Sequence, residues 1–174
     1  MHIRSAILVP LIALSFAACN DNKSPVQPTQ DLPPKFQVVM LPANEVPPVT
    51  NAEASGSGTA TITFNLTKDA SGAITAGTVD FSASMTGFPN GTALTAAHIH
   101  PGGPGATGGV LVNTGITAGE VTMPAGSGTL TRNAQNITVA QINQILANPG
   151  AFYINIHTAS NPGGVARGQL SRVQ

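Results

Sequence analysis

The chain has 174 residues, only 8% of them charged, and its formal net charge is zero. The usual charged share is about 25%, so disorder driven by high charge is excluded, and no long-range field draws nucleic acid or anionic lipid to the chain. With no Trp and a single Tyr, no stacking platform for single-stranded nucleic acid is present.

The chain opens Met1-His2-Ile3-Arg4, continues with an apolar run from Ala6 to Leu14, and then reads Ser15-Phe16-Ala17-Ala18-Cys19. A basic start, a short apolar stretch and small residues before a cut are the marks of a signal peptide over residues 1–18. The run falls short of the roughly 20 residues that cross a bilayer. Ala17-Ala18-Cys19 resembles a bacterial lipobox, with Phe16 where that pattern prefers Leu. The resemblance implies that Cys19 carries acyl chains, palmitate among them, and becomes the first mature residue. The alternative is an ordinary cut near Ala18 that leaves a free thiol. Cys19 is the only cysteine, so no internal disulfide can form. By similarity to enterobacterial sorting rules, Asn20 implies the outer rather than the inner membrane if the source is Gram-negative. Residues 19–35 are polar and rich in proline, a tether; residues 36–174 form the domain.

Within the domain, Gly, Pro and Asn mark turns, and Thr and Val favour strands. Strands are predicted at Phe36–Leu41, Gly58–Leu66, Ile74–Met85, Leu94–His100, Val110–Asn113, Gly128–Arg132, Ala151–His157 and Val165–Leu170. Ala60, Ile62, Phe64 and Leu66 alternate cleanly onto one face. One short helix is predicted at about 139–147. Thr138 and Gln141 form its capping box, Val139, Ile142, Ile145 and Leu146 share a face, and Asn148-Pro149-Gly150 stops it. The fold class is all-β: a Greek-key-like β-sandwich or barrel of about 8 strands.

Leu41-Pro42-Ala43-Asn44-Glu45-Val46-Pro47-Pro48-Val49, Ala97-His98-Ile99-His100-Pro101-Gly102, Phe152-Tyr153-Ile154-Asn155-Ile156-His157-Thr158, Asn161-Pro162-Gly163-Gly164 and Arg167-Gly168-Gln169-Leu170 stand in that order. As an ordered set over nearly all of residues 36–172 they resemble the CHRD domain, first named from chordin and widespread in bacterial secreted proteins. The resemblance implies an extracytoplasmic β-sandwich, which in chordin belongs to a protein that binds secreted growth factors, and in bacteria it implies no shared catalytic activity. Where that family often has an acidic residue near its end, this chain has Val165.

Outside the leader the only histidines are His98, His100 and His157, all within these motifs. Residues i and i+2 of a strand face one side, which sets the α-carbons of His98 and His100 about 7 Å apart. Imidazoles so placed can grip copper or zinc. If the strand ending at His157 pairs with theirs, three imidazoles converge, with Glu45 as a weaker fourth ligand or outer partner. The opposing reading is structural: the rings bond to backbone of the glycine loop, and His157 caps a turn through Thr158. The His-x-His and glycine loop are similar to those of copper/zinc superoxide dismutase, but that enzyme needs more histidines and a disulfide.

Residues 102–109 lack the Gly-Lys-Ser/Thr ending of a phosphate loop and read as a lid or long turn. No carboxylate pair is set for glycosidase work, and no Gly-x-Ser-x-Gly elbow occurs. Arg167 reads as structural, bonded to a carboxylate or to loop carbonyls. The functional readings rank as follows. First comes a lipid-anchored envelope binding module for a protein or small ligand, holding copper or zinc. A structural envelope protein without metal is second. A metal-dependent enzyme at the same place is third, and no catalytic residue is assigned.

Overall fold

A computed structural model describes residues 31–174. The expected signal peptide, Cys19 and most of the expected tether lie outside the described residues. The described chain forms strands β1 (Lys35–Met40), β2 (Ser57–Lys68), β3 (Ile74–Thr86), β4 (Thr92–Pro101), β5 (Val112–Asn113), β6 (Thr122–Met123) and β7 (Gly128–Asn136). Helix α1 (Val139–Ala147) follows, and then β8 (Phe152–Thr158), β9 (Ala166–Gln169) and β10 (Ser171–Arg172).

The strands make two antiparallel sheets. The first runs β10-β1-β2-β3-β7, and the second β5-β4-β8-β9, with β6 on the opening residues of β4. Neither closes on itself, so the fold is a sandwich and not a barrel. In-sheet neighbours such as β3 and β7, or β4 and β8, are far apart in sequence, because the chain crosses repeatedly between sheets. The two extra strands, β6 and β10, have only two residues each, too few for alternation to reveal. The predicted strand at 110–113 keeps only its last two residues, and that at 128–132 extends to Asn136.

Alternation in β1, β2 and β3 buries Phe36, Met40, Ile62, Phe64, Val79 and Phe81. Facing them from the second sheet are Leu94, Ile99, Ile154 and Ile156, all buried. In α1, Thr138 Oγ1 accepts from the Gln141 amide at 3.3 Å, and the Thr138 backbone N–H donates back to Gln141 Oε1 at 2.8 Å. Its buried residues are Ile142 and Ile145. The Ile142 δ-methyl fills the space a side chain would need at Gly77 of β3.

Candidate metal centre

A bulge decides where the histidines point. Thr92 and Leu94 of β4 are buried, and beyond the register shift between Leu94 and Ala96 the buried apolar residues are Ala97 and Ile99. An inserted residue re-aims every side chain after it. Ala97 and Ile99 thus enter the core, and His98 and His100 project from the opposite face.

Strand β8 completes that face. Asn155 stands opposite His98, and Tyr153 opposite His100. His157, two residues past Asn155, points the same way. Strand β9 adds Arg167 opposite Asn155 and Gln169 opposite Tyr153. Loops cover this polar face, so every residue of β8 is buried.

The three histidines each place a ring nitrogen within 4.8 Å of the other two. Nδ1 of His100 lies 3.0 Å from the Gly108 carbonyl, and Nδ1 of His157 lies 2.9 Å from that of Pro162. A carbonyl only accepts, so both Nδ1 atoms carry the proton and donate it, and both Nε2 atoms keep a lone pair in the neutral ring. Nε2 of His100 is buried with no partner. Nε2 of His157 is 3.3 Å from Nδ1 of His98. In a tetrahedral site with metal–nitrogen bonds of about 2.0–2.1 Å, ligand atoms stand about 3.3–3.4 Å apart. Backbone carbonyls that fix the far nitrogen of each ring are the usual outer support of metal-bound histidine.

Burial holds the His98 pKa down to about 4, and the neighbouring His157 and His100 push the same way. Burial also lowers His157, against the opposing Pro162 carbonyl. At neutral pH these two rings offer lone pairs rather than positive charge.

Glu45 stands outside the three-histidine group. It is 6% exposed, and its Oε1 has no partner. Burial raises its pKa to about 7, opposed by the Arg167 charge and by the neighbouring Asn155 amide. Asn155 links it to the histidines, because Asn155 Oδ1 lies 3.0 Å from His157 Nε2. The meeting requires glycine at position 164, where φ is +134° and a methyl group would strike both Glu45 Oε1 and Asn155 Nδ2.

Sequence reasoning missed Asn155 and Tyr153. The available signal was a strand in which Tyr153, Asn155 and His157 alternate with Ile154 and Ile156. Arg167 does bond to loop carbonyls, donating to Ala106 at 2.9 Å and Gly103 at 3.1 Å. Its guanidinium carbon sits 3.6 Å from the Tyr153 ring centroid, and Tyr153 stacks on His100 at 5.0 Å and 10°. Gln169 holds the Gly102 carbonyl at 2.9 Å. The glycine loop that presents Gly108 to His100 is therefore tied down from β9. Glu53 performs the same service for the other loop, accepting from Thr158 Oγ1 at 2.6 Å and from Asn161. Val165, at the position where an acid was expected, is wholly buried in the core.

A cleft of about 470 Å³ is lined by Asn44, Glu45, Val46, Pro104, Arg167 and Gln169 among others. A second, of about 280 Å³, runs from Glu45 to Pro162 and Gly164. None of the three histidines lines either one.

The family model described as the CHRD domain matches residues 36–170. No curated protein and no solved structure matches the chain.

Proposed function

We propose, on the premise that this chain belongs to the CHRD domain family, that it is a lipid-anchored binding module of the cell envelope holding one copper or zinc ion through His98, His100 and His157. The observation that carries the metal reading is the buried, unpartnered Nε2 of His100. A buried acceptor without a donor costs about 1–3 kcal/mol, and a cation shared with His98 and His157 removes that cost. The anchoring part rests on the leader and on Cys19. Export would set the domain outside the cytoplasm, with the membrane as one partner and a protein or small ligand as the other.

Tyr153 is the only Tyr, there is no Trp, and its ring lies 5.0 Å from that of His100. Titration with Cu(II) should quench tyrosine fluorescence with an endpoint at one ion per chain, and His98→Ala should abolish the endpoint. An unquenched wild type that takes up no metal would leave the histidines as loop braces, the structural reading. For the anchor, Cys19→Ser should release the protein from the membrane fraction. Unchanged fractionation and an unchanged mass would count against acylation.

A further inference from the structure

We infer that the side-chain carbonyl oxygen of Asn155 is the fourth ligand of the three-histidine centre, making the site a closed N3O set. This inference rests on the metal reading above.

The argument begins with an incompatible contact. His157 donates from Nδ1 to the Pro162 carbonyl at 2.9 Å, so its Nε2 bears a lone pair. That lone pair faces Asn155 Oδ1 at 3.0 Å, and an amide oxygen cannot donate. Two acceptors at this separation repel unless something positive lies between or beside them. His98 Nδ1, at 3.3 Å from the same Nε2, can donate to it in the metal-free protein, but that proton leaves the amide oxygen unanswered.

The amide orientation is seen from its other end. Asn155 Nδ2 and Glu45 Oε1 both crowd the space at Gly164, at 2.6 Å and 2.5 Å from the point a side chain there would occupy, so the amide nitrogen is turned toward the carboxyl. With its nitrogen turned to a carboxyl, its oxygen must turn to the histidines. Asn155 is 2% exposed and stands directly across the sheet from His98, so it cannot swing out to solvent.

The distances suit one coordination sphere. The 3.3 Å separation from His157 Nε2 is the edge of a tetrahedron with bonds of about 2.0 Å, and the 3.0 Å separation falls about 0.3 Å short of it. An oxygen in the fourth position removes the open site that a metal-activated water needs. Glu45 then acts as a positioning residue, holding the amide rather than touching the ion.

Cobalt(II) loaded into the purified protein reads this out through its visible bands. The wild type should bind one cobalt, with bands unchanged from pH 6 to pH 9. Asn155→Ala should bind on the order of tenfold more weakly, and its bands should shift with a pKa near about 7 as water enters the vacated position and ionises. Asn155→Asp, which keeps an oxygen ligand, should hold the pH-invariant spectrum. A titrating band in the wild type that persists in Glu45→Gln overturns the inference, whether or not Asn155→Ala folds. So does an alanine variant with wild-type affinity and bands. Failure of the wild type to take up cobalt sinks the metal reading and this inference with it, whereas uptake independent of Asn155 sinks this inference alone.

Discussion

Nδ1 of His98 lies 3.3 Å from Nε2 of His157, and the two rings meet edge to face with centroids 5.1 Å apart. Without metal the contact is a hydrogen bond between neutral rings. To hold a metal through Nδ1, His98 would adopt its other neutral tautomer, with the proton on its own Nε2, so that both facing nitrogens could offer lone pairs to the ion. Binding to the folded state alone stabilises it by about 2.7 kcal/mol at a free metal concentration one hundred times Kd. For a domain of this size that corresponds to a rise in Tm of roughly 5–10 °C. Scanning calorimetry with zinc, and again after a chelator, checks it. His98→Ala should show no zinc-dependent shift.

Arg167 gives a second prediction. It is 1% exposed, holds two carbonyls of the glycine loop and lies against Tyr153. Arg167→Met leaves those carbonyls without donors, which should cost about 2–4 kcal/mol of stability in urea denaturation. The freed loop carries Gly108, the partner of His100 Nδ1, so copper affinity should fall by about tenfold or more. Arg167→Lys restores the charge but not the fork and should recover only part of either loss. A methionine variant with unchanged stability would show that the loop is held by other contacts.

The sandwich was legible because its long strands alternate over many residues, as at Ala60, Ile62 and Phe64. The helix was legible because its cap and apolar spacing agree. The histidine cluster was legible in composition, since all three domain histidines fall in two strands that could pair. The bulge before Ala96 was not legible. It makes His98 and His100 face away from the core, and nothing in Thr95-Ala96-Ala97 announces an unpaired residue. Asn155 was overlooked because an amide in a wholly buried strand reads as a hydrogen-bonding core residue. Its meaning depends on which atoms the loops at 108 and 162 present to the neighbouring rings, and loop positions follow from tertiary closure rather than from any local pattern. Glu45 shows both sides: its motif marked it, but only the folded loop places Asn155 between it and the histidines.

Gly164 carries a third prediction. At φ +134° an alanine is strained, and its methyl group would displace Glu45 Oε1 or Asn155 Nδ2. Gly164→Ala should lose about 2–4 kcal/mol in chemical denaturation, the strain accounting for about 1–3 of it. Gly103→Ala, where added bulk meets nothing within 4 Å, is the matched control and should change stability by less than about 0.5 kcal/mol. Equal losses at the two positions would remove the special role of position 164.

The last prediction concerns pH. The Glu45 pKa is raised to about 7 chiefly by burial, above its usual value of about 4.3 in an unfolded chain. Between those values the folded state holds a proton that the unfolded state has lost. The resulting contribution to stability is full below the unfolded pKa and fades as pH rises through about 7. His98, held down to about 4, acts in the opposite sense. Its unfolded form takes up a proton below about 6.5, so its contribution is present above that value and is lost as pH falls toward the folded pKa. His157, lowered as well, adds to this acid-side loss. Glu45→Gln removes one effect and leaves the other. In urea denaturation of metal-free protein, the variant should gain on the wild type as pH rises from 5 to 8, and from pH 6.5 down to pH 4 it should lose stability more steeply than the wild type, in which the Glu45 and His98 contributions oppose each other. A stability difference between variant and wild type that does not change across pH 5 to 8 would mean that the buried carboxyl titrates like an ordinary surface acid.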